Sequence, residues 1–218
     1  MTIQTFVFNP FSENTYVAFD ETKEAVIIDP GCYEPMEKAE LDQFITSKGL
    51  TVKFILNTHC HIDHVLGNFH CKTKYKVPLA INKQDEKVLL AVQSYASNYG
   101  FAGYQPTLPD RFLEENESFT FGNTNWKILF IPGHSPGHIA FYDEQKKTIF
   151  SGDVLFKRSI GRTDLPGGNF DVLLKSIQQK LFLLPDDVVV YSGHGPTTTI
   201  GEEKKLNYPR LEGEGLMR

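Results

Sequence analysis

Three of the chain's seven histidines fall in one heptapeptide, Thr58-His59-Cys60-His61-Ile62-Asp63-His64, directly after the apolar run Phe54-Ile55-Leu56. His59, His61, Asp63 and His64 are all good metal ligands. An extended segment would send alternate side chains to opposite sides, whereas a tight strand-to-helix turn gathers positions i, i+2, i+4 and i+5 around one point. The spacing therefore places a metal site in a loop at the end of a strand. Imidazole and carboxylate together select zinc, iron or manganese over calcium or magnesium.

The arrangement recurs further along. His134 in Ile131-Pro132-Gly133-His134-Ser135-Pro136-Gly137-His138, Asp153 in Phe150-Ser151-Gly152-Asp153 and His194 in Tyr191-Ser192-Gly193-His194-Gly195-Pro196 each follow an apolar run at a glycine turn. One histidine-rich turn by itself reads as a polar loop. Ligand types at four strand ends on one edge of a sheet read as a site.

The runs between these motifs alternate in type. Thr5–Phe8, Thr15–Phe19 and Ala25–Ile28, separated by turn signals, read as an antiparallel meander. Pro35–Ser47 has roughly helical apolar spacing and Gly49 placed as a C-terminal cap. Phe54–Leu56 is a short strand, 65–75 a helix, Leu79–Ile81 a strand, and a helix follows from Gln84 to about Val92. From Ser94 to Pro109 the pattern fades into a loop carrying Tyr95, Tyr99, Phe101 and Tyr104, read as a packed surface loop or as an aromatic wall of a pocket. Strands follow at 118–121, 126–131, 139–142 and 148–150, then a helix at 170–182 and a strand at 188–191. Strands succeeded by helix and strand in each half point to a sheet covered by helices. At 218 residues the chain is read as a single domain, 1–218.

In these motifs the sequence resembles the metallo-β-lactamase superfamily of metallohydrolases, whose signature is T-H-x-H-x-D-H followed by a separate His, an Asp and a last His. The resemblance implies an α/β fold, an αββα sandwich of two mixed β-sheets flanked by helices. It implies that His59, His61 and His134 hold one metal and Asp63, His64 and His194 the other, with Asp153 shared by both. The cofactors implied are two divalent ions, Zn²⁺ in the first instance with Fe or Mn as alternatives. The reaction implied is attack of a metal-bridging hydroxide on an activated carbonyl, with Asp63 orienting or deprotonating the water. Cys60, between two ligands, is expected to point into the interior.

The segment after Asp153 bears on substrate. Its run Gly161-Arg162-Thr163-Asp164-Leu165-Pro166-Gly167-Gly168 resembles the short glyoxalase II-like hydrolases, and its first four residues also occur in persulfide dioxygenases. A thioesterase of the hydroxyacylglutathione hydrolase type is therefore expected, acting on a small-molecule acyl-thioester, with a mononuclear iron persulfide dioxygenase as the alternative. Arg158 and Arg162 are the expected substrate-binding cations, with Lys157 in the same positive patch but read as solvated, although Arg162 pairing with Asp164 explains that residue equally well. Asp29, in a D-P-G turn, and His138 are expected to support the metal ligands, and His70 is read as an ordinary helix residue. Only 24 residues follow His194, so the C-terminal helical domain of two-domain glyoxalase II is expected to be absent. A short helix from about Glu202 and the basic residues Lys204, Lys205 and Arg210 could replace at most part of it.

Composition narrows the partners. The net charge of −5 and the lack of a basic run argue against nucleic acid. No apolar stretch approaches the ~20 residues of a membrane span, and Met1–Phe6 carries no export signal, so a cytoplasmic location is expected, in contrast to an exported β-lactamase. Three cysteines without paired spacing indicate no disulfide scaffold.

Overall fold

The computed structural model describes residues 1–207. The opening meander forms β1 (Thr2–Phe8), β2 (Glu13–Phe19) and β3 (Glu24–Ile28), paired antiparallel. Helix α1 (Pro35–Lys48) then crosses over to β4 (Thr51–Leu56), which lies parallel to β3. Two short helices follow, α2 (Ile62–Val65) and α3 (Asn68–Tyr75), leading to β5 (Leu79–Ile81), α4 (Glu86–Tyr95) and the short edge strand β6 (Arg111–Phe112). These strands make a mixed sheet in sequential order β1 to β6.

The second half builds β7 (Ser118–Phe121), β8 (Thr124–Phe130), β9 (Ile139–Asp143) and β10 (Thr148–Gly152), then the small hairpin β11 (Leu155–Phe156) and β12 (Ser159–Ile160). After α5 (Phe170–Gln179) come β13 (Val189–Ser192), β14 (Thr198–Thr199) and α6 (Ile200–Leu206). The second sheet runs β14-β13-β10-β9-β8-β7, with β13 parallel to β10 and the other pairs antiparallel. The expected αββα sandwich of two mixed sheets is the observed fold.

Burial follows the layers. Between the sheets, Trp126, Phe119, Phe141 and Phe150 meet Val26, Ile28 and Leu56. The outer face of the first sheet, through Ile27, Ile55 and Ile81, takes Leu41 and Ile45 of α1 and Leu89 and Val92 of α4. The outer face of the second takes Leu173 and Ile177 of α5. Every residue of β2, β9 and β10 is buried, because each sheet is covered on both faces, and such strands read as continuous rather than alternating apolar runs.

Local signals set the helix ends. Pro35 opens α1 with a reciprocal Glu34–Glu37 capping box, and Gly49 closes it at φ 62° with its N–H donating to Ile45 and Thr46 carbonyls. The helix expected over 65–75 is instead two. Gly67 N–H turns out of the helix to donate to the Pro30 carbonyl (2.7 Å), and a Cβ there would lie 2.6 Å from Cys32 Sγ. The loop expected from Ser94 starts later than read: α4 runs to Tyr95 and continues as a 3₁₀ turn, Ala96–Tyr99, ended by Gly100 at φ 90°.

Beyond His194, α6 turns its Lys204 onto Asp186 (2.7 Å) and the Leu184 carbonyl. Arg210 lies outside the described residues. No helix among the described residues is long and apolar enough to cross a membrane.

Candidate metal centre

Strand direction gathers the candidate ligands. β4 delivers the turn that carries His59 and His61, and α2 follows it with Asp63 and His64 in one helical turn. In the second sheet, β8, β10 and β13 run the same way and end before His134, Asp153 and His194.

Two triads result. The ligand atoms of His59, His61 and His134 lie within 4.8 Å of one another, as do those of Asp63, His64 and His194. A further combination, Asp29 with His59 and His64, meets the same limit. Asp153 stands between the first two: Oδ2 is 3.5 Å from both His134 Nε2 and His194 Nε2, and Oδ1 is 3.5 Å from His64 Nε2. His61 Nδ1 and His134 Nε2 are 2.8 Å apart, and Asp63 Oδ2 is 3.1 Å from His194 Nε2.

The donor set fits metal ions. His59 Nε2, His64 Nε2 and Asp153 Oδ1 are buried and make no hydrogen bond, which is costly unless something else satisfies them. His64 Nε2 and Asp153 Oδ1 stand 3.5 Å apart, and imidazole with carboxylate suits borderline transition metals.

The surroundings prepare the imidazoles. His134 Nδ1 faces the Arg162 carbonyl at 2.7 Å and His194 Nδ1 faces the Phe11 carbonyl at 3.1 Å, so each ring can donate from Nδ1, which leaves Nε2 as the nitrogen available to a metal. Asp29 accepts the Thr58 N–H (2.7 Å) and hydroxyl (2.6 Å). The Thr58 oxygen is thereby left to accept from His59 Nδ1, 3.1 Å away. Asp29 Oδ2 also faces His64 Nδ1 at 3.2 Å. His138 stacks on His59, with centroids 4.7 Å apart, and its Nε2 accepts the Asp153 N–H.

Burial, then neighbouring histidines, hold His59 well below the ordinary histidine value, and burial with His134 brings His61 down to about 3. Both rings are neutral, the form that binds metal. In the other triad burial again opposes charge, but Asp63 and Asp153 outweigh it, holding His64 well above its ordinary value and His194 at about 9. Burial also opposes ionisation of Asp63, yet His64 and His194 hold it below the usual carboxylate range.

A sign follows for metal uptake. At neutral pH, below the His194 value of about 9, a proton occupies this triad and has to leave when a cation takes its place. Adding metal to the metal-free chain in weak buffer is expected to acidify the solution, and affinity is expected to rise with pH up to about 9. Titration calorimetry in buffers of different ionisation enthalpy reads the proton count. Uptake without proton release contradicts this charge assignment.

Three supports were not read from sequence. Asp85 is fully buried and accepts the Cys60 N–H (2.7 Å), the Ser135 hydroxyl (2.7 Å) and the Gly137 N–H (2.6 Å), joining the two loops that carry the first triad. Glu13, also fully buried, has Oε1 3.8 Å from His64 Nδ1, and burial pushes its carboxyl well up. Asn14 donates to the Ser192 and Gly195 carbonyls, tying β2 to the His194 turn.

The close fit makes Gly193 a sensitive position. A Cβ there would sit 2.1 Å from Asp153 Oδ1 and 2.7 Å from His64 Cε1. Gly193→Ala is expected to leave the fold intact but to lower metal content below that of the unsubstituted chain by elemental analysis; unchanged content contradicts the packing argument.

His61, Asp63, His134, Asp153 and His194 form the floor of a cleft of about 1240 Å³. Of the expected substrate cations, Arg162 lines this cleft while also making a bidentate pair with Asp164 (2.7 and 2.6 Å). The lining includes Lys157 but not Arg158, whose guanidinium is 3.9 Å from Glu203 of α6. Tyr95 and Tyr99 line the cleft too, whereas Phe101 is packed in the core. Cys60 is buried in the same apolar cluster, and His70 lies on α3 against Asp42 (3.1 Å).

Comparison with known proteins places this geometry. The profile of the metallo-beta-lactamase superfamily matches residues 8–194. The chain is 39% identical to a hydroxyacylglutathione hydrolase, GloC, of Haemophilus influenzae, over 95% of this chain and 97% of that protein. Among solved structures, the BLEG-1 B3 metallo-beta-lactamase is 35% identical with TM-score 0.86, covering 96% of this chain and 99% of that one. TTHA1623 in a di-iron-bound form is 37% identical with TM-score 0.84, covering 94% and 98%. ETHE1 from Myxococcus xanthus is 27% identical with TM-score 0.79, covering 98% and 85%.

Proposed function

The chain belongs to the metallo-β-lactamase superfamily, and from that premise we propose that it is a binuclear metal-dependent hydrolase of thioesters, of the hydroxyacylglutathione hydrolase type. The observation that carries this reading is the convergence of two ligand triads and Asp153 on the floor of one large cleft. Similarity to GloC supports the substrate class.

In this reading His59, His61 and His134 would hold one ion and Asp63, His64 and His194 the other, with Asp153 placed between the two triads as a ligand available to either. When bound, divalent ions there acidify water and polarise a carbonyl. The chain's own groups do the rest. Asp63 reaches the cleft floor and is held ionised by His64 and His194, so it orients the attacking water and accepts its proton. The cleft sets the carbonyl above this floor, and Lys157 and Arg162 face the anionic part of the substrate. A thiolate leaves readily, its conjugate acid having a pKa of about 8.5, so no protein acid is needed. That requirement separates a thioester from an amide.

The test is free thiol released from S-D-lactoylglutathione by the zinc-, iron- or manganese-loaded chain, with a β-lactam as counter-substrate. Thiol release abolished by a chelator and restored by metal supports the proposal; no release with any of the three metals contradicts it. The second reading is a persulfide dioxygenase with a single iron held by His59, His134 and Asp153, supported by the likeness to ETHE1. Oxygen uptake with glutathione persulfide, without thiol release from thioesters, decides for that reading.

A further inference from the structure

Helix α4 carries two apolar stripes, one fully buried in the core and a second, half-buried one whose Val88 and Tyr95 touch the core and also line the cleft. Leu89 and Val92 are buried against the first sheet. Val88, Ala91 and Tyr95, spaced by three and four residues, form a second stripe along the wall of the cleft, continued by Tyr99 in the 3₁₀ turn. A surface helix ordinarily puts polar residues opposite its core face. Here the face beside the core stripe lines the cleft with Val88, Ala91 and Tyr95, flanked by Lys87 and Asn98, and Ile62, between the ligands His61 and Asp63, extends the apolar surface onto the floor.

The stripe is held in register with the ligands. Asp85, immediately before α4, is hydrogen-bonded to the loops of His59, His61 and His134. From Val88 to Tyr95 the stripe runs about 10 Å at the helical rise of 1.5 Å per residue. The cleft, at about 1240 Å³, exceeds the roughly 300–1,000 Å³ of ordinary small-molecule sites.

We propose that this face of α4 is an acyl-binding wall, and that the cleft selects thioesters with extended apolar acyl groups over short hydroxyacyl ones. The proposal rests on the thioesterase reading above and adds the acyl class to it. The carbonyl stays over the ligand floor, the acyl chain lies along Val88, Ala91 and Tyr95, and the thiol carrier extends toward Lys157 and Arg162 on another part of the cleft wall. Each methylene laid on the wall raises kcat/KM about threefold to fourfold, the worth of burying one such group.

The experiment uses the metal-loaded full chain with glutathione thioesters of D-lactate, acetate, butanoate, hexanoate and octanoate, and with the non-hydrolysable S-methyl- and S-octylglutathione as binding probes. Expected are kcat/KM values that climb with chain length, at least a hundredfold from acetyl to octanoyl, and tighter binding of the S-octyl probe. Ala91→Trp, at an exposed helix position, fills the wall and is expected to cut the octanoyl-to-acetyl ratio about tenfold. A chain active on lactoylglutathione with a flat or falling acyl series, or a ratio unmoved by Ala91→Trp, overturns the acyl wall and leaves the thioesterase reading standing. If no thioester is cleaved but the S-octyl probe still binds more tightly, and less so in Ala91→Trp, the thioesterase reading falls and the apolar seat survives.

Discussion

Asp153→Ala is expected to lower thioesterase kcat/KM by about three orders of magnitude or more and to reduce bound metal from two equivalents toward one. Its carboxylate lies between the triads, 3.5 Å from the Nε2 atoms of His64, His134 and His194. Without it, the buried imidazoles of His64 and His134 and the half-buried one of His194, from separate parts of the chain, lose the one anion all three share. Loss of a mere supporting partner of a ligand costs roughly 10–100-fold, so removal of the shared group exceeds that. Its N–H to His138 is a backbone bond and survives the substitution. Elemental analysis beside circular dichroism checks this: a folded chain with two metals and ordinary activity contradicts the shared role.

Asp85→Ala is expected to have the largest effect on stability. The substitution strands three buried donors, the Cys60 and Gly137 N–H groups and the Ser135 hydroxyl. At about 1–3 kcal/mol for each of the three stranded groups, the loss is roughly 3–9 kcal/mol, a large part of the about 5–15 kcal/mol that holds a domain together. The same three bonds align the His59–His61 loop with the His134 loop, so activity should fall even where the chain remains folded. Asp85→Asn keeps the shape and one acceptor oxygen and should be intermediate on both counts. Denaturant midpoints for the two variants test the ordering; equal stability of all three chains contradicts it.

The contrast between Asp153 and Asp85 shows what the sequence makes legible. Asp153 follows an apolar run and a glycine turn, as His134 and His194 do, so its place at a strand end is written in its immediate neighbours. Asp85 is bonded to groups 25, 50 and 52 residues away, and locally it looks like any acidic residue at the start of a helix. Glu13 is hidden similarly, as a charged residue in a strand that the fold buries completely. The helix break at Gly67 depends on the Pro30 carbonyl and on Cys32, both brought in by tertiary packing. The extension of α4 through Ser94 and Tyr95 runs against their weak helix propensity, so Tyr95, which reads from sequence as part of a loop, joins Val88 and Ala91 on the helical side of the cleft. Arg158 stands close to Arg162 in sequence, but its turn, at φ 64°, brings it to Glu203 instead of the cleft.

Titrating the metal-free chain with zinc while following thiol release from an acylglutathione tests whether two cations held by the seven ligand side chains hydrolyse a thioester. The rate should rise and level off at two equivalents per chain. No release at any metal loading, or full activity at one equivalent, would contradict it.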